Sequence, residues 1–341
     1  MLFCATILSS AAANSADTMA SSNDTPSPAV IISDLSDFAD DNIAILMLLR
    51  SGTLDVRGVI TTSGNVCAHR GAIEARRLLD SAGASVPVVR GFSLAWHQDR
   101  RRFYDEVQKP TRPANAYAGA LGDSSTCADS SGAGGPQPDA ADFLIAQARG
   151  AKSGLTIILM GPATVLAEAL RRDRELPSFI RRVDAMGGAI RVPGNVAPRA
   201  EFNVWFDAEA MASVLATPIP VTLVPLDVTT TVDYGGSEQA QPPSSGFAAE
   251  HLAAYLEKLG RRRKPVPMWD EVLAAIVINP DLIEAVEDLP LIIAIERDAH
   301  YGEILVSRAA RDGAPRTVRV VTKVRADGVR RLVYHLLWNQ E

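Results

Sequence analysis

Cysteine is nearly absent from this chain of 341 residues: only Cys4, Cys67 and Cys127 occur. Three thiols exclude a disulfide scaffold and a cysteine-rich zinc site, although Cys67 and Cys127 can pair in an oxidising compartment. No apolar run approaches the ~20 residues needed to cross a bilayer, so no membrane span is expected. An excess of positive charge is missing as well. Against 34 Lys and Arg stand 40 Asp and Glu, a formal net charge of −6. That balance gives no electrostatic reason to bind nucleic acid or an anionic membrane. A small molecule and a cation are the partners that remain, and no internal repeat or domain boundary divides the chain.

Residues 1–28 begin with a short apolar stretch, and Ala11-Ala12-Ala13 offers an Ala-x-Ala cleavage pattern, but no Lys or Arg precedes it. The segment reads either as a signal peptide of a periplasmic or secreted protein or as a disordered leader of a cytoplasmic one. Both readings leave 1–28 outside the fold and 29–341 as one domain. From residue 29 onward, Val- and Ile-rich runs alternate with amphipathic stretches. Strands are expected over 29–33, 56–62, 86–90, 155–160, 182–186 and 220–226. Helices are expected over 42–50, 71–82, 163–172, 208–215 and 247–259. This alternation predicts an α/β fold, an open, mostly parallel Rossmann-like sheet with helices on both faces. Residues 92–138 and 233–245 are rich in Gly, Ser and Pro and read as loops, while 289–296 and 317–324 read as an added antiparallel pair before a short helix.

An open parallel sheet binds ligands beyond the carboxyl ends of its strands, so the residues that end each strand carry the chemistry. The first strand runs into Asp34, and Asp40-Asp41 follow six residues later at a helix start. Asp40 or Asp41 can serve as a helix cap, where negative charge is favoured, but one carboxylate suffices for that and Asp34 caps nothing. Several carboxylates so close together repel one another unless a cation lies among them, and carboxylate oxygens are what Ca²⁺ and Mg²⁺ select. Other strand ends add Ser63-Gly64-Asn65, Met160-Gly161, and Gly187-Gly188 followed by Asn195, Glu201 and Asn203; Trp269-Asp270 opens a late helix. Each is weak alone, since an Asn after Gly is ordinarily a turn residue. Together they fall where a doubly wound sheet would gather them.

These residues resemble the inosine-uridine preferring nucleoside hydrolase family. The resemblance is carried by Asp34 with Asp40-Asp41, by TTSGN at 61–65, ILMGPAT at 158–164, MGGA at 186–189, GNVAPRAEFN at 194–203 and PMWDEVLAA at 267–275. It implies the nucleoside hydrolase fold, a homo-oligomer, and metal-dependent cleavage of the N-glycosidic bond of a nucleoside to free base and ribose. Asp34, Asp41, the Met160 carbonyl and Asp270 would hold one Ca²⁺, and Asp34 would act as general base on water. Asp40, Asn65, Asn195, Glu201 and Asn203 would bind the ribose hydroxyls. Trp269 stands where the pyrimidine-tolerant branch has His, which implies a purine preference and a role in activating the leaving base. Trp96 and Tyr104 are candidates for the other face of that base, and Trp96 reads equally well as a loop anchor.

The first loop departs from the pattern. Many family members carry a second Asp two residues after the first, where this chain has Ser36, followed by Asp37 and Phe38. A longer form of that loop has a single strand-end Asp six residues before the Asp pair, the spacing of Asp34 and Asp40. The altered loop leaves open a catalytically silent member that binds nucleoside or ribose without cleaving it. A haloacid-dehalogenase-like phosphatase also ends its first strand on Asp, but it requires an acid at position 36 and has no use for GNVAPRAEFN.

Overall fold

The computed structural model describes residues 25–37, 39–92, 138–152, 154–235, 246–261, 265–307 and 316–338. Trp96, Tyr104, Cys4 and Cys127 lie outside these residues. The first half of the chain folds as β1 (Ser27–Ser33), α1 (Asp40–Arg50), β2 (Leu54–Thr61), α2 (Ala68–Ser81), β3 (Val88–Arg90), α3 (Ala140–Gly150), β4 (Leu155–Met160) and α4 (Thr164–Arg172). There follow β5 (Ile180–Met186), α5 (Phe202–Phe206), α6 (Ala208–Leu215), β6 (Val221–Val224), α7 (Leu226–Thr229), α8 (Phe247–Gly260) and α9 (Asp270–Ile278). The chain closes with β7 (Ile283–Ile293), β8 (Ile304–Val306), β9 (Thr317–Val324) and α10 (Ala326–Trp338).

The strands make one nine-stranded sheet in the order β3-β2-β1-β4-β5-β6-β9-β7-β8. Pairing is parallel from β3 through to β9, and β7 lies antiparallel to both β9 and β8. Side chains of a strand point alternately to opposite faces, and β1 uses both. Val30 and Ile32 enter a core with α3, α4 and α6, while Ala29 and Ile31 enter a second core with α1, α2, α8, α9 and α10. The expected mostly parallel sheet with helices on both faces is therefore the observed one.

Among the described residues, two helices lack a polar face. In α1 every residue from Asp41 to Leu48 is buried, and in α9 every residue from Asp270 to Val277. A helix that is apolar all round has no stable place at a surface, and each Leu or Ile removed from water contributes roughly 1.5–3 kcal/mol. These two helices pack on each other, which draws Asp40-Asp41 and Asp270, at their N-termini, toward one point.

The differences from expectation are local. β1 begins at Ser27, pairing with Leu54, ahead of the expected start at 29. The helix α3 follows a segment whose composition read only as loop; Asp139 caps it by accepting the Ala141 and Asp142 amides. The late strand starts at Ile283 rather than 289, because Glu284, Glu287 and Asp288 break the apolar pattern while the backbone still pairs with β9. β9 inserts between β6 and β7, so the antiparallel pair is continuous with the main sheet. Among the described residues no helix is long and apolar enough to cross a membrane. Cys67, at the N-cap of α2, is disulfide-bonded.

Candidate active site

The strand order 3-2-1-4-5-6 reverses direction between β1 and β4, and a crevice opens at such a switch point beyond the strands' carboxyl ends. Ser33, the last residue of β1, is in register with Thr61 of β2 and Met160 of β4. The residues that follow these three positions are thus neighbours: Asp34, the turn at Thr62–Asn65, and Gly161. Asp34 is 1% exposed, and its Oδ2 accepts the Asn65 backbone N–H at 2.6 Å. Glycine is required on both sides of it. A Cβ on Gly64 would lie 2.0 Å from Asp34 Oδ2, and one on Gly161 would lie 3.0 Å from Oδ1 and 2.9 Å from the Asp34 nitrogen.

The N-termini of α1 and α9 supply the rest. Asp40, Asp41 and Asp270 each offer an oxygen, and these oxygens all lie within 4.8 Å of one another. Burial raises Asp40 above its ordinary value, opposed by the nearby backbone amides of Asp40, Asp41 and Asp270 at the two helix starts. Asp41 Oδ1 accepts the Ser33 hydroxyl at 2.6 Å, and the Ser33 oxygen accepts the Leu35 N–H at 3.1 Å. Asp41 Oδ2 and Asp270 Oδ1 are buried and have no hydrogen-bond partner.

Unit charges 4.8 Å apart repel by roughly 3–4 kcal/mol at an effective dielectric of about 20. A carboxylate at a helix N-terminus gains only about 0.3–1 kcal/mol when exposed, and up to about 2 in favourable partly buried geometry. Capping does not account for three of them together. Burial first, then the Asp34 and Asp40 charges, pushes Asp41 well up. Burial and the charges of Asp41, Asp40, Asp34 and Glu271 do the same to Asp270. Burial raises Asp34 to about 7, opposed by the Asn65 amide and reinforced by Asp40 and Glu201. Buried carboxylate oxygens with no protein partner, under mutual repulsion, are the donor set that a hard divalent cation satisfies, and the cluster fits such an ion.

Asp34, Asp40, Asp41, Asp270 and Glu201 therefore share one electrostatic neighbourhood, drawn from both ends of the chain. Asp40, read as a sugar ligand, stands with Asp41 and Asp270 in the group able to hold an ion, and Asp34 stands beside that group. Met160 ends β4, one residue before the glycine that abuts Asp34. The segment after β5 brings Glu201, whose charge acts on Asp34. Glu201 Oε1 accepts the Asn203 N–H at 2.8 Å, and Oε2 accepts those of Gly188 and Val204 at 2.8 and 3.2 Å. Glu201 thereby caps α5 and anchors the Gly187-Gly188 turn. Asn195 Oδ1 accepts the Phe202 N–H at 2.9 Å, and Asn203 Nδ2 donates to the Met186 carbonyl at 3.3 Å. Trp269 is half-buried at the N-cap of α9.

The sequence did not single out Ser33, Glu271 or Tyr234. A serine that ends an apolar strand carries no motif, yet here it orients Asp41. Glu271 reads as a first-turn helix acid, but it is fully buried, and its Oε1 accepts the Tyr234 hydroxyl at 2.6 Å. Only the packing of α9 reveals that it faces inward.

Comparison with known proteins places this geometry. The pattern of the inosine-uridine preferring nucleoside hydrolase family matches residues 31–331. The pyrimidine-specific ribonucleoside hydrolase RihA of Escherichia coli is 30% identical over 266 residues, covering 73% of this chain and 79% of that protein. An uncharacterized protein of Schizosaccharomyces pombe is 30% identical over 209 residues; the match covers 58% of this chain and about three fifths, 61%, of that protein's length. The solved structure of an inosine-guanosine nucleoside hydrolase superposes with a TM-score of 0.74 at 21% identity, over 92% of this chain and 99% of that one. At that identity the likeness speaks for the fold.

Proposed function

The chain belongs to the inosine-uridine preferring nucleoside hydrolase family, a family of N-ribohydrolases, and from that premise we propose that it hydrolyses the N-glycosidic bond of purine ribonucleosides with one Ca²⁺ held in the aspartate cluster. The observation that carries this reading is the convergence of Asp40, Asp41 and Asp270 beside Asp34 at the switch point of the sheet. Asp41 and Asp270, with Asp34, Asp40 and the Met160 carbonyl at hand, would hold the ion. When bound, it supplies the positive charge that makes water reactive near neutral pH.

Asp34, its Oδ2 steadied by the Asn65 amide, would accept the proton of the attacking water. Asn65, Asn195, Glu201, Asn203 and the free face of Asp40 would receive the ribose hydroxyls. Burial raises Glu201 above its ordinary value, and the three amides it accepts, from Asn203, Gly188 and Val204, oppose that shift. Negative charge around the sugar stabilises the positive charge that builds there as the base departs. Trp269 lies one residue from Asp270, and its indole can stack on a flat purine for about 1–3 kcal/mol. RihA is named for pyrimidines and the solved relative for inosine and guanosine, so the purine preference rests on Trp269.

The test is release of hypoxanthine and ribose from inosine by the purified protein, with and without chelator, against uridine as competitor. Inosine bound tightly under saturating Ca²⁺ with no ribose formed would make the protein a silent binder. Equal rates on uridine and inosine would remove the purine preference. The same proposal places the protein in an oxidising compartment, periplasmic or extracellular, because Cys67 is disulfide-bonded. It also includes a homo-oligomer: Ile292 and Leu305, cross-strand partners on the edge hairpin, are 45% and 42% exposed. Mass by light scattering decides that point.

A further inference from the structure

Glu271 is a sixth carboxylate at this site, and it has no part in the chemistry above. It follows Asp270 in the first turn of α9 and is fully buried. Burying a carboxylate costs several kcal/mol, more than a helix N-terminus returns, so its position requires another cause. One oxygen accepts the Tyr234 hydroxyl at 2.6 Å, and the other is buried with no hydrogen-bond partner. Tyr234 is itself buried and is held edge-on by Tyr255, ring centroids 5.7 Å apart.

The two segments are already tied just before this point. Met268 donates its N–H to the Val232 carbonyl at 2.8 Å, and Asp233 bridges Pro267. The Tyr234–Glu271 bond is the next tie along, and it lies on the far side of Trp269 and Asp270. The Met268–Val232 and Tyr234–Glu271 bonds therefore bracket Trp269 and Asp270, the two residues that the proposed function sets against base and metal.

We propose that Glu271 is a positioning residue for the active site: anchored by Tyr234, it fixes the backbone of Trp269 and Asp270 so that indole and metal-facing carboxylate keep their relative places. The assignment rests on the nucleosidase reading for its kinetic consequence and on the aspartate cluster alone for its effect on metal affinity. Groups that orient ligands from behind typically change metal affinity or activity by about 10–100-fold when removed.

The experiment compares Glu271→Ala, Glu271→Gln and Tyr234→Phe in the full chain, measuring Ca²⁺ affinity by calorimetry and kcat and KM for inosine. Glu271→Ala is expected to weaken Ca²⁺ binding and lower kcat by about tenfold or more. Glu271→Gln, which keeps an oxygen for Tyr234, should recover most of both. Tyr234→Phe should fall between them. Wild-type Ca²⁺ affinity and kcat in Glu271→Ala would overturn the assignment, as would a Gln variant no better than Ala. If Glu271→Ala does not fold, an undiminished Tyr234→Phe overturns it instead. A wild-type protein that binds Ca²⁺ but releases no ribose defeats the nucleosidase reading, and the calorimetric comparison still decides the positioning role.

Discussion

Stripped of divalent cations, this protein should be more stable in mild acid than at alkaline pH, the reverse of what ion-paired surface carboxylates produce. In the fold, Asp34 is raised from 3.8 to about 7 by burial and by the charges of Asp40 and Glu201. Asp40, Asp41 and Asp270 are raised as well, burial again the first cause. In the unfolded chain each returns to its ordinary value. Between those limits the folded state binds more protons than the unfolded one, so stability is fully present below about pH 4 and is lost as pH rises through 7. For Asp34 alone, a shift of about three units at about 1.4 kcal/mol each amounts to roughly 4 kcal/mol. Between pH 5 and pH 8 about two of those three units are traversed, roughly 3 kcal/mol; at about 2–4 °C per kcal/mol for domains of 150–250 residues, and less for a longer one, the expected loss is on the order of 5 °C. Asp173 and Glu287 are lowered by hydrogen bonds from Arg149 and Arg191 and act in the opposite sense, but such solvent-facing pairs contribute little. The assay is thermal unfolding in chelator at about pH 5 and about pH 8, then at pH 8 with Ca²⁺ restored. Added ion should recover the alkaline loss, because it favours the ionised carboxylates. A chelated protein as stable at pH 8 as at pH 5 would mean that these four carboxyls do not crowd one another, and the metal assignment would have no basis.

Other changes probe single residues. Asp34→Asn should lower inosine turnover by at least about 100-fold with the fold intact, whereas Asp37→Ala should leave turnover unchanged; the opposite pattern would place the general base at the wrong Asp of the first loop. Gly64→Ala puts a methyl 2.0 Å from Asp34 Oδ2, and the displaced carboxylate should cost about 100-fold in kcat; a Gly64→Ala enzyme with normal rates would show that Asp34 tolerates movement. Trp269→Ala should reduce kcat/KM for inosine by about 5–100-fold through lost stacking while calorimetric Ca²⁺ affinity stays within a few fold. Ser33→Ala removes the 2.6 Å bond to Asp41 and should weaken Ca²⁺ binding by about tenfold, charge-assisted bonds being worth roughly 1.5–3 kcal/mol; unchanged affinity would assign Ser33 to the Leu35 turn alone.

Much of the site was legible before any coordinates because strand ends are marked locally. An apolar β-branched run that stops on Asp34, or on Met160-Gly161, announces where backbone turns toward ligand, and the alternation of runs announces a parallel sheet. Ser33 and Glu271 were illegible for the opposite reason. Their roles depend on which side of a strand end or helix turn faces inward, and α9 has no polar face to reveal it. The late strand was misplaced by its start because Glu284, Glu287 and Asp288 hide a pairing that only β9 stabilises.

Local order in the chain was enough to determine the layered α/β class, the order of its elements and the inventory of carboxylates and amides that chemistry would use. The meeting of those groups was decided in three dimensions. Residues 34–41 and 270 are more than two hundred positions apart, and nothing between them specifies a distance. Their approach is dictated by two helices that are apolar on every side, which must bury against each other and so bring their N-terminal aspartates within 4.8 Å. Burial then does what sequence spacing cannot: it raises the cost of each charge until an ion is needed to hold them together.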